Sequence, residues 1–330
     1  MRRREFIVLL GCAAAAWPLA ARAQQSQRSR RIGVLMAYTE TNSPAQRLLV
    51  VFREALAKLG WIEGRNLRID YRWATTDPKL IEQCAKELVA LSPDLILSSS
   101  SPTTAALQRE TRSIPIIFAI VVDPVGQGFI ASLAKPGGNI TGFINLETSI
   151  TGKFVELLKE IAPSVSRAAI FFNPATAPYF EMYLAPFKAA ASSFGVEAIV
   201  AAIRDMAELD VFAKELAQKP NGGLIVMPDS FSNARSAEIA ALATRHGLPA
   251  VSSVRQFAEA GGLLSFGSET SDNYRRAANY VDRILKGEKP SDLPAQFPVK
   301  FELVINLKAA KALGLNVPWQ LQQRADEVIE

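Results

Sequence analysis

Between Leu95 and Thr104 the chain reads Leu-Ile-Leu-Ser-Ser-Ser-Ser-Pro-Thr-Thr. Three apolar residues suit a buried parallel strand. The hydroxyl run after them suits a tight turn into a helix near Pro102–Thr104, because Pro is favoured in a first helical turn and Ser caps free N–H groups. A strand end feeding such a helix offers N–H groups, hydroxyls and the positive end of a dipole, and together these suit an anion. The same residues also serve as plain helix caps; what gives them weight is recurrence. At comparable strand ends the chain places Tyr38 and Thr39, then Ser99, Ser100 and Thr103, then Asp123. Its second half adds Asn173 and Tyr179, then Asp229, Ser230 and Phe231, and finally Ser252. Ligands of doubly wound folds bind outside the carboxyl ends of the strands. As a set these residues form a candidate ligand site: Ser99, Ser100 and Thr103 for a carboxylate, Asp229 with Ser230 for an ammonium, and Tyr38, Tyr179 or Phe231 to cover a side chain. A neutral sugar or nucleoside is the rival ligand, with Asp229 accepting its hydroxyls.

Catalytic chemistry has no such pattern. His246 is the single histidine and precedes Gly247 at an expected helix end, where a favourable dipole contact explains it. The chain has no G-x-S-x-G elbow, no Walker A pattern and no Cys/His metal spacing, and Gly126-Gln127-Gly128 lacks the third glycine of a dinucleotide fingerprint. No catalytic residue, cofactor or metal is expected.

The elements that must position these residues follow a repeating order. A strand at Ile32–Ala37 is followed by a helix at Ala45–Leu59, which stops at Gly60. Then come a strand at Leu67–Trp73, a helix at Pro78–Leu91, a strand at Leu95–Leu97, a helix at Thr103–Thr111 and a strand at Ile116–Ile120. That is the wiring of a parallel sheet with helices on both faces. The order restarts with a strand at Ala168–Phe172, a helix at Phe180–Phe194, a strand at Val196–Ala201, a helix at Ala207–Gln218, a strand at Leu224–Met227, a helix at Asn233–Arg245 and a strand at Pro249–Ser252. Two doubly wound α/β lobes of like wiring are expected. Gly-rich tracts at Lys135–Phe143 and Gly261–Gly267 are the expected crossings, with hinge rotation near Ile140–Gly142 and Leu264–Phe266. A helix at Asp272–Leu285 and a strand at Lys300–Ile305 follow. The expected division assigns 31–140 with about 264–295 to the first lobe, and 141–263 with about 296–330 to the second.

Residues 1–23 read as an export signal: Arg2, Arg3 and Arg4, an apolar run from Phe6 to Ala16, and the small-x-small site Ala21-Arg22-Ala23. Arg3-Arg4-Glu5-Phe6 also resembles a twin-arginine signal, so both the Sec and Tat routes stay open. Removing the four Arg and one Glu of that segment lowers the formal charge from +5 to +2, and no basic cluster suggests nucleic acid. Cys84 is then the only thiol, so no intrachain disulfide can form; its apolar neighbours suit a buried, inert side chain.

The chain resembles bacterial ABC-transporter substrate-binding proteins, and more narrowly the family that includes tryptophan- and tyrosine-type solute receptors. The resemblance is carried by Arg2-Arg3-Arg4-Glu5-Phe6, Trp17-Pro18-Leu19-Ala20-Ala21-Arg22-Ala23-Gln24 and Lys135-Pro136-Gly137-Gly138-Asn139-Ile140-Thr141-Gly142. Its most specific part is Ala277-Ala278-Asn279-Tyr280-Val281-Asp282-Arg283-Ile284-Leu285-Lys286-Gly287 and Lys300-Phe301-Glu302-Leu303-Val304-Ile305-Asn306-Leu307-Lys308. It implies the type I periplasmic-binding-protein fold and a periplasmic, monomeric receptor. Such a receptor takes a small amino acid-like solute between its lobes and hands it to an inner-membrane permease driven by an ATPase. A periplasmic sensor domain for a signalling partner is the alternative on the same fold, and a periplasmic enzyme acting on a small metabolite is a further one. N-terminal sequencing of the exported protein is expected to begin at Gln24; a mature chain starting at a lipidated Cys12 would contradict the signal reading.

Overall fold

The computed structural model describes residues 29–330; the expected export signal, 1–23, lies outside them. The chain runs β1 (Arg30–Met36), α1 (Ser43–Lys58), β2 (Leu67–Trp73), α2 (Pro78–Ala90), β3 (Leu95–Ser98), α3 (Ser101–Glu110), β4 (Ile116–Val121) and β5 (Ile140–Ile144). It continues with α4 (Ile150–Ile161), β6 (Arg167–Phe172), α5 (Glu181–Ser193), β7 (Glu197–Ala202), α6 (Met206–Ala217), β8 (Gly222–Val226), α7 (Ser230–Ala234), α8 (Ser236–Arg245), β9 (Ala250–Ser252), α9 (Arg255–Glu259) and β10 (Leu264–Ser268). Helix α10 (Thr270–Leu285), β11 (Phe301–Asn306), α11 (Leu307–Ala312), α12 (Trp319–Arg324) and β12 (Glu327–Ile329) complete it.

Two sheets result. The first is all parallel, in the order β2-β1-β3-β4-β5; the second runs β12-β11-β10-β9-β8-β6-β7. Read from its β7 edge, the second sheet repeats the first strand for strand and then adds β11, antiparallel to β10, and β12. Strands covered on both faces must be apolar on both faces, which is why they read as continuous runs in the sequence. In β1, Ile32, Val34 and Met36 join one core cluster while Leu35 joins the cluster on the opposite face.

Local signals set the helix starts. Asn42 accepts from the Ala45 N–H ahead of α1, and Asp77 from the Lys79 N–H ahead of α2, each with Pro in the first turn. The expected single helix over Asn233–Arg245 is instead two, α7 and α8, broken at Arg235. Helix α4 has no counterpart in the repeat read from sequence. Its Phe154, Val155 and Leu158 are buried with Ile170, Ile225 and Val251 of the second sheet. Helix α10 does the reverse: it follows a second-sheet strand, yet Tyr274, Ala277 and Val281 are buried with Ile32, Leu95 and Ile117 of the first. Each lobe therefore receives a helix from the chain leaving the other.

This exchange corrects the expected lobe boundaries. Strand β5 pairs with β4 and belongs to the first sheet, so the first crossing follows Ile144 rather than Ile140. Strand β10 pairs with β9 and β11 and belongs to the second sheet, so the second crossing follows Ser268 rather than preceding Leu264. Gln296 still bridges Phe143, which puts the third crossing between residues 296 and 301. A hydrogen bond of 3.1 Å from the Ser268 hydroxyl to Asn145 Oδ1 ties the first two crossings together.

Two glycines in the crossing strands are required by close approach rather than by hinge freedom. A Cβ on Gly142 (φ +151°) would lie 2.0 Å from the Phe118 carbonyl oxygen, and one on Gly267 would lie 1.8 Å from the Ser253 carbonyl oxygen. Gly142→Ala and Gly267→Ala are expected to cost about 1–3 kcal/mol or more each, as overpacking against backbone does. Gly138→Ala, with nothing within 4 Å, is expected to be near neutral in urea denaturation.

Candidate functional site

The carboxyl ends of both sheets face each other across a narrow cavity. The first lobe lines it with Ala37, Tyr38, Ser99, Ser100, Ser101, Ile120 and Val122. The second contributes Tyr179, Pro228, Asp229, Ser230 and Asn233, and Asn145 comes from the first crossing.

Asp229 is the charged group at its centre. It is the N-cap of α7 and only 2% exposed. Its Oδ1 accepts from the Ser232 N–H (2.8 Å) and the Thr176 hydroxyl (3.3 Å), and its Oδ2 from the Asn173 N–H (3.3 Å). Burial outweighs these bonds, with a weaker one from the Phe231 N–H, and pushes the carboxyl up to about 6. Oδ2 has one hydrogen bond of 3.3 Å, from the Asn173 N–H, and as a carboxylate oxygen it has capacity for a cationic donor entering the cavity. The Tyr179 hydroxyl donates to the Pro228 carbonyl at 3.2 Å, and burial beside Asp229 holds that phenol neutral. Burial likewise raises Tyr38 to about 12.

The hydroxyl run divides into two groups. Ser100 and Thr103 form a reciprocal capping box: the Ser100 N–H donates to Thr103 Oγ1 (3.0 Å) and the Thr103 N–H to Ser100 Oγ (3.4 Å). Thr103 Oγ1 also donates to the Ser100 carbonyl at 2.9 Å and is fully buried, so it is committed to the helix. Ser99 Oγ accepts from the Ala37 N–H at 2.9 Å and keeps its own proton to give. Ser101 is more constrained. Its Oγ accepts from the Val122 N–H (3.3 Å) and from Gln127 Nε2 (3.2 Å), while Gln127 Nε2 also donates to the Val122 carbonyl. With both lone pairs taken, the Ser101 hydroxyl can act only as a donor. Its backbone N–H also has no acceptor among the described residues. One lobe thus presents O–H and N–H donors and the other a carboxylate.

The structure places Tyr38, Ser99, Ser100, Tyr179, Asp229 and Ser230 of the expected set around the cavity. It places the other six elsewhere. Thr39 is exposed and pairs with Thr41. Asp123, in the left-handed region at φ +42°, caps its own turn through the Gly126 N–H and lines an outer pocket near the first crossing. Asn173 acts through its backbone, its side chain being spent on the Ala175 N–H and the Arg204 carbonyl. The Phe231 ring lies in the second-lobe core under the Arg235 guanidinium, 4.5 Å away. Thr103 is the committed cap described above, and Ser252 accepts from the Val254 N–H inside the sheet end. Ser101, Asn145 and Asn233 are the polar residues that the sequence reading missed. Ser101 stood inside the quoted run, and its role needed the neighbouring Val122 and Gln127 to be seen. His246 pairs with Asp210 at 2.9 Å beyond the end of α8, away from the cavity. Among the described residues no group of three or more His, Cys, Asp or Glu converges as metal ligands, and no helix is long and apolar enough to cross a membrane.

The model of a family described as ABC transporter substrate binding protein matches residues 44–329. A tyrosine-binding protein of Clostridioides difficile (strain R20291) is 26% identical over 267 residues, 80% of this chain and 75% of that protein. The solved structure of an ABC domain in complex with L-Trp, from Streptococcus pneumonia, is 25% identical over 91% of this chain and 100% of that one, with a TM-score of 0.83. A ligand-free, open structure of a substrate binding protein with adhesive properties from Clostridium difficile is also 25% identical. It covers 91% of this chain and 99% of that one, with a TM-score of 0.67. The two lobes and their three crossings are those of the type I periplasmic binding proteins.

The raised Asp229 carboxyl has a consequence for stability without ligand. Its folded pKa (about 6) lies above the unfolded value (3.8), so the folded state holds the extra proton between them and loses stability as pH rises. The loss is absent below pH 4 and complete above pH 7, at about 3 kcal/mol. Asp229→Asn keeps a competent N-cap. Relative to the parent, the variant is expected to gain by up to that amount between pH 4 and pH 7. Urea midpoints across that range check this, and a constant difference would refute it.

Proposed function

The chain belongs to the ABC transporter substrate binding protein family, and on that premise we propose that it is the periplasmic receptor of an importer for an aromatic amino acid. Hinge closure traps the ligand between the lobes, and the loaded receptor delivers it to an inner-membrane permease with its ATPase. The observation that carries this reading is the pairing of the buried Asp229 carboxylate with the Ser99 and Ser101 donors, from opposite lobes, in one cavity. An α-amino acid carries the two complementary charges one carbon apart. Its ammonium takes the open position on Asp229 and its carboxylate takes the Ser99 and Ser101 hydroxyls with the Ser101 N–H. Each charge-assisted hydrogen bond is worth about 1.5–3 kcal/mol, and the donors need no neighbouring cation.

Likeness to a tyrosine-binding protein and to an L-Trp-bound chain supports the aromatic class. Closure has its own support. At the same identity and coverage, the chain superposes better on the L-Trp-bound structure than on the open, ligand-free one. The lobes also touch across the cleft, through Arg235 Nη1 to Thr76 Oγ1 (3.3 Å) and the Arg47–Glu259 ion pair (3.4 Å).

Calorimetry with L-tryptophan, L-tyrosine, and the decarboxylated and deaminated analogues of each checks the assignment. The amino acids are expected to bind at least about tenfold tighter than either analogue. Ligand ammonium favours ionised Asp229. Affinity is therefore expected to be flat above pH 7 and to fall below pH 6, by at most about tenfold per pH unit. Amino acids binding no better than their truncated analogues would overturn two-ended recognition.

A further inference from the structure

The central cavity is narrow, yet it is not the only space between the lobes beside Asp229 and Ser101. A second, wider interlobe slot shares the Ser101 wall with it. Ser101 lines both spaces, and Thr176, whose hydroxyl donates to Asp229, lines the slot. The slot walls are apolar and rigid. Pro78, Ile81, Pro102 and Ala105 form one side, from the N-termini of α2 and α3, and Ala175 and Pro178 of the second lobe form the other. Its outer end carries the Arg109–Glu82 ion pair (3.1 Å), both partners more than half exposed.

We propose that this proline-walled slot is the side-chain subsite, taking the ring of an aromatic amino acid whose ammonium and carboxylate are held at Asp229 and Ser101. The inference rests on the amino-acid reading above and adds where specificity lies. With both polar ends fixed beside the junction of the two spaces, the ligand's Cα sits at that junction, and its side chain has the wide slot rather than the narrow cavity to enter. Flat apolar walls from opposite lobes suit a flat ring, and a ring with a polar tip keeps that tip at the charged, hydrated mouth. Tyr38 and Tyr179 then bound the polar end of the ligand instead of stacking on its ring. Because one wall comes from each lobe, only closure completes the subsite, so the side chain is read at closure.

Two measurements on the full mature protein test this. In crystals grown with 5-bromotryptophan, the anomalous bromine signal is expected in van der Waals contact with Ala105 and Pro178. A bromine beside Tyr38 and Tyr179 would overturn the assignment. Ala105 is half-buried: it packs against the first-lobe core and also lines the slot, so Ala105→Phe fills the slot, and the melting temperature reports whether the core is disturbed. This variant is expected to lose roughly 10- to 100-fold in affinity for L-tryptophan, with competition by L-alanine and the melting temperature retained. Unchanged tryptophan affinity, or an equal loss for alanine, would refute the subsite. Failure of the parent protein to bind tryptophan and tyrosine at all would instead refute the amino-acid reading on which it rests.

Discussion

The exchange of helices between lobes is the constraint on which the architecture depends. Strand β5 finishes the first sheet and passes the chain to α4, whose Phe154 and Leu158 are buried in the second lobe. Strand β10 finishes the second sheet and passes it to α10, whose Tyr274 and Val281 are buried in the first. Burying a side chain of this size contributes about 1.5–3 kcal/mol, so neither lobe has a complete core until the chain has crossed. The crossings are consequently pinned at both ends by packing. Only the few residues between sheet and helix are left to rotate, and the Ser268–Asn145 bond holds two of them side by side. The first two crossings thus lie side by side as one strip between the lobes, the arrangement that the proposed hinge closure requires.

That arrangement gives the charge pattern its meaning. Every donor to Asp229 comes from the second lobe, which holds it, and both donors to Ser101 come from the first lobe, which holds Ser101. Each half of the candidate site is therefore set within its own lobe, which limits the side-chain ordering that the proposed closure would need. Asp229 is held ionised at neutral pH against the burial that opposes its charge. The ammonium of the proposed ligand would remove that conflict. A carboxylate kept at a cost to stability is a common mark of a binding site.

Much of this was legible in the chain itself. Strands covered on both faces announced themselves as apolar runs, the serines before Pro102 marked a helix start, and the return of the same order from Ala168 showed the second lobe. Half of the expected site residues reached the cavity because the carboxyl ends of parallel strands must point one way. Three of the six misses share a cause. Thr103, Asn173 and Asp123 are polar residues at the right edge whose side chains are consumed by local caps and turns, a competition that spacing alone does not resolve.

What the sequence determined by itself was the alternation of strands and helices, the doubling of the lobe and the edge at which a ligand site could lie, because these follow from local propensity and hydrophobic period. What only the tertiary structure decided was which lobe α4 and α10 complete, where the chain crosses, and which hydroxyls are free to bind. Those depend on contacts between residues far apart in the chain. Gln127 fills the last lone pair of Ser101, the Ser253 carbonyl leaves no room for a Cβ at Gly267, and Thr176 reaches Asp229 across 53 positions. Such pairings are fixed by packing in three dimensions, and no local pattern encodes them.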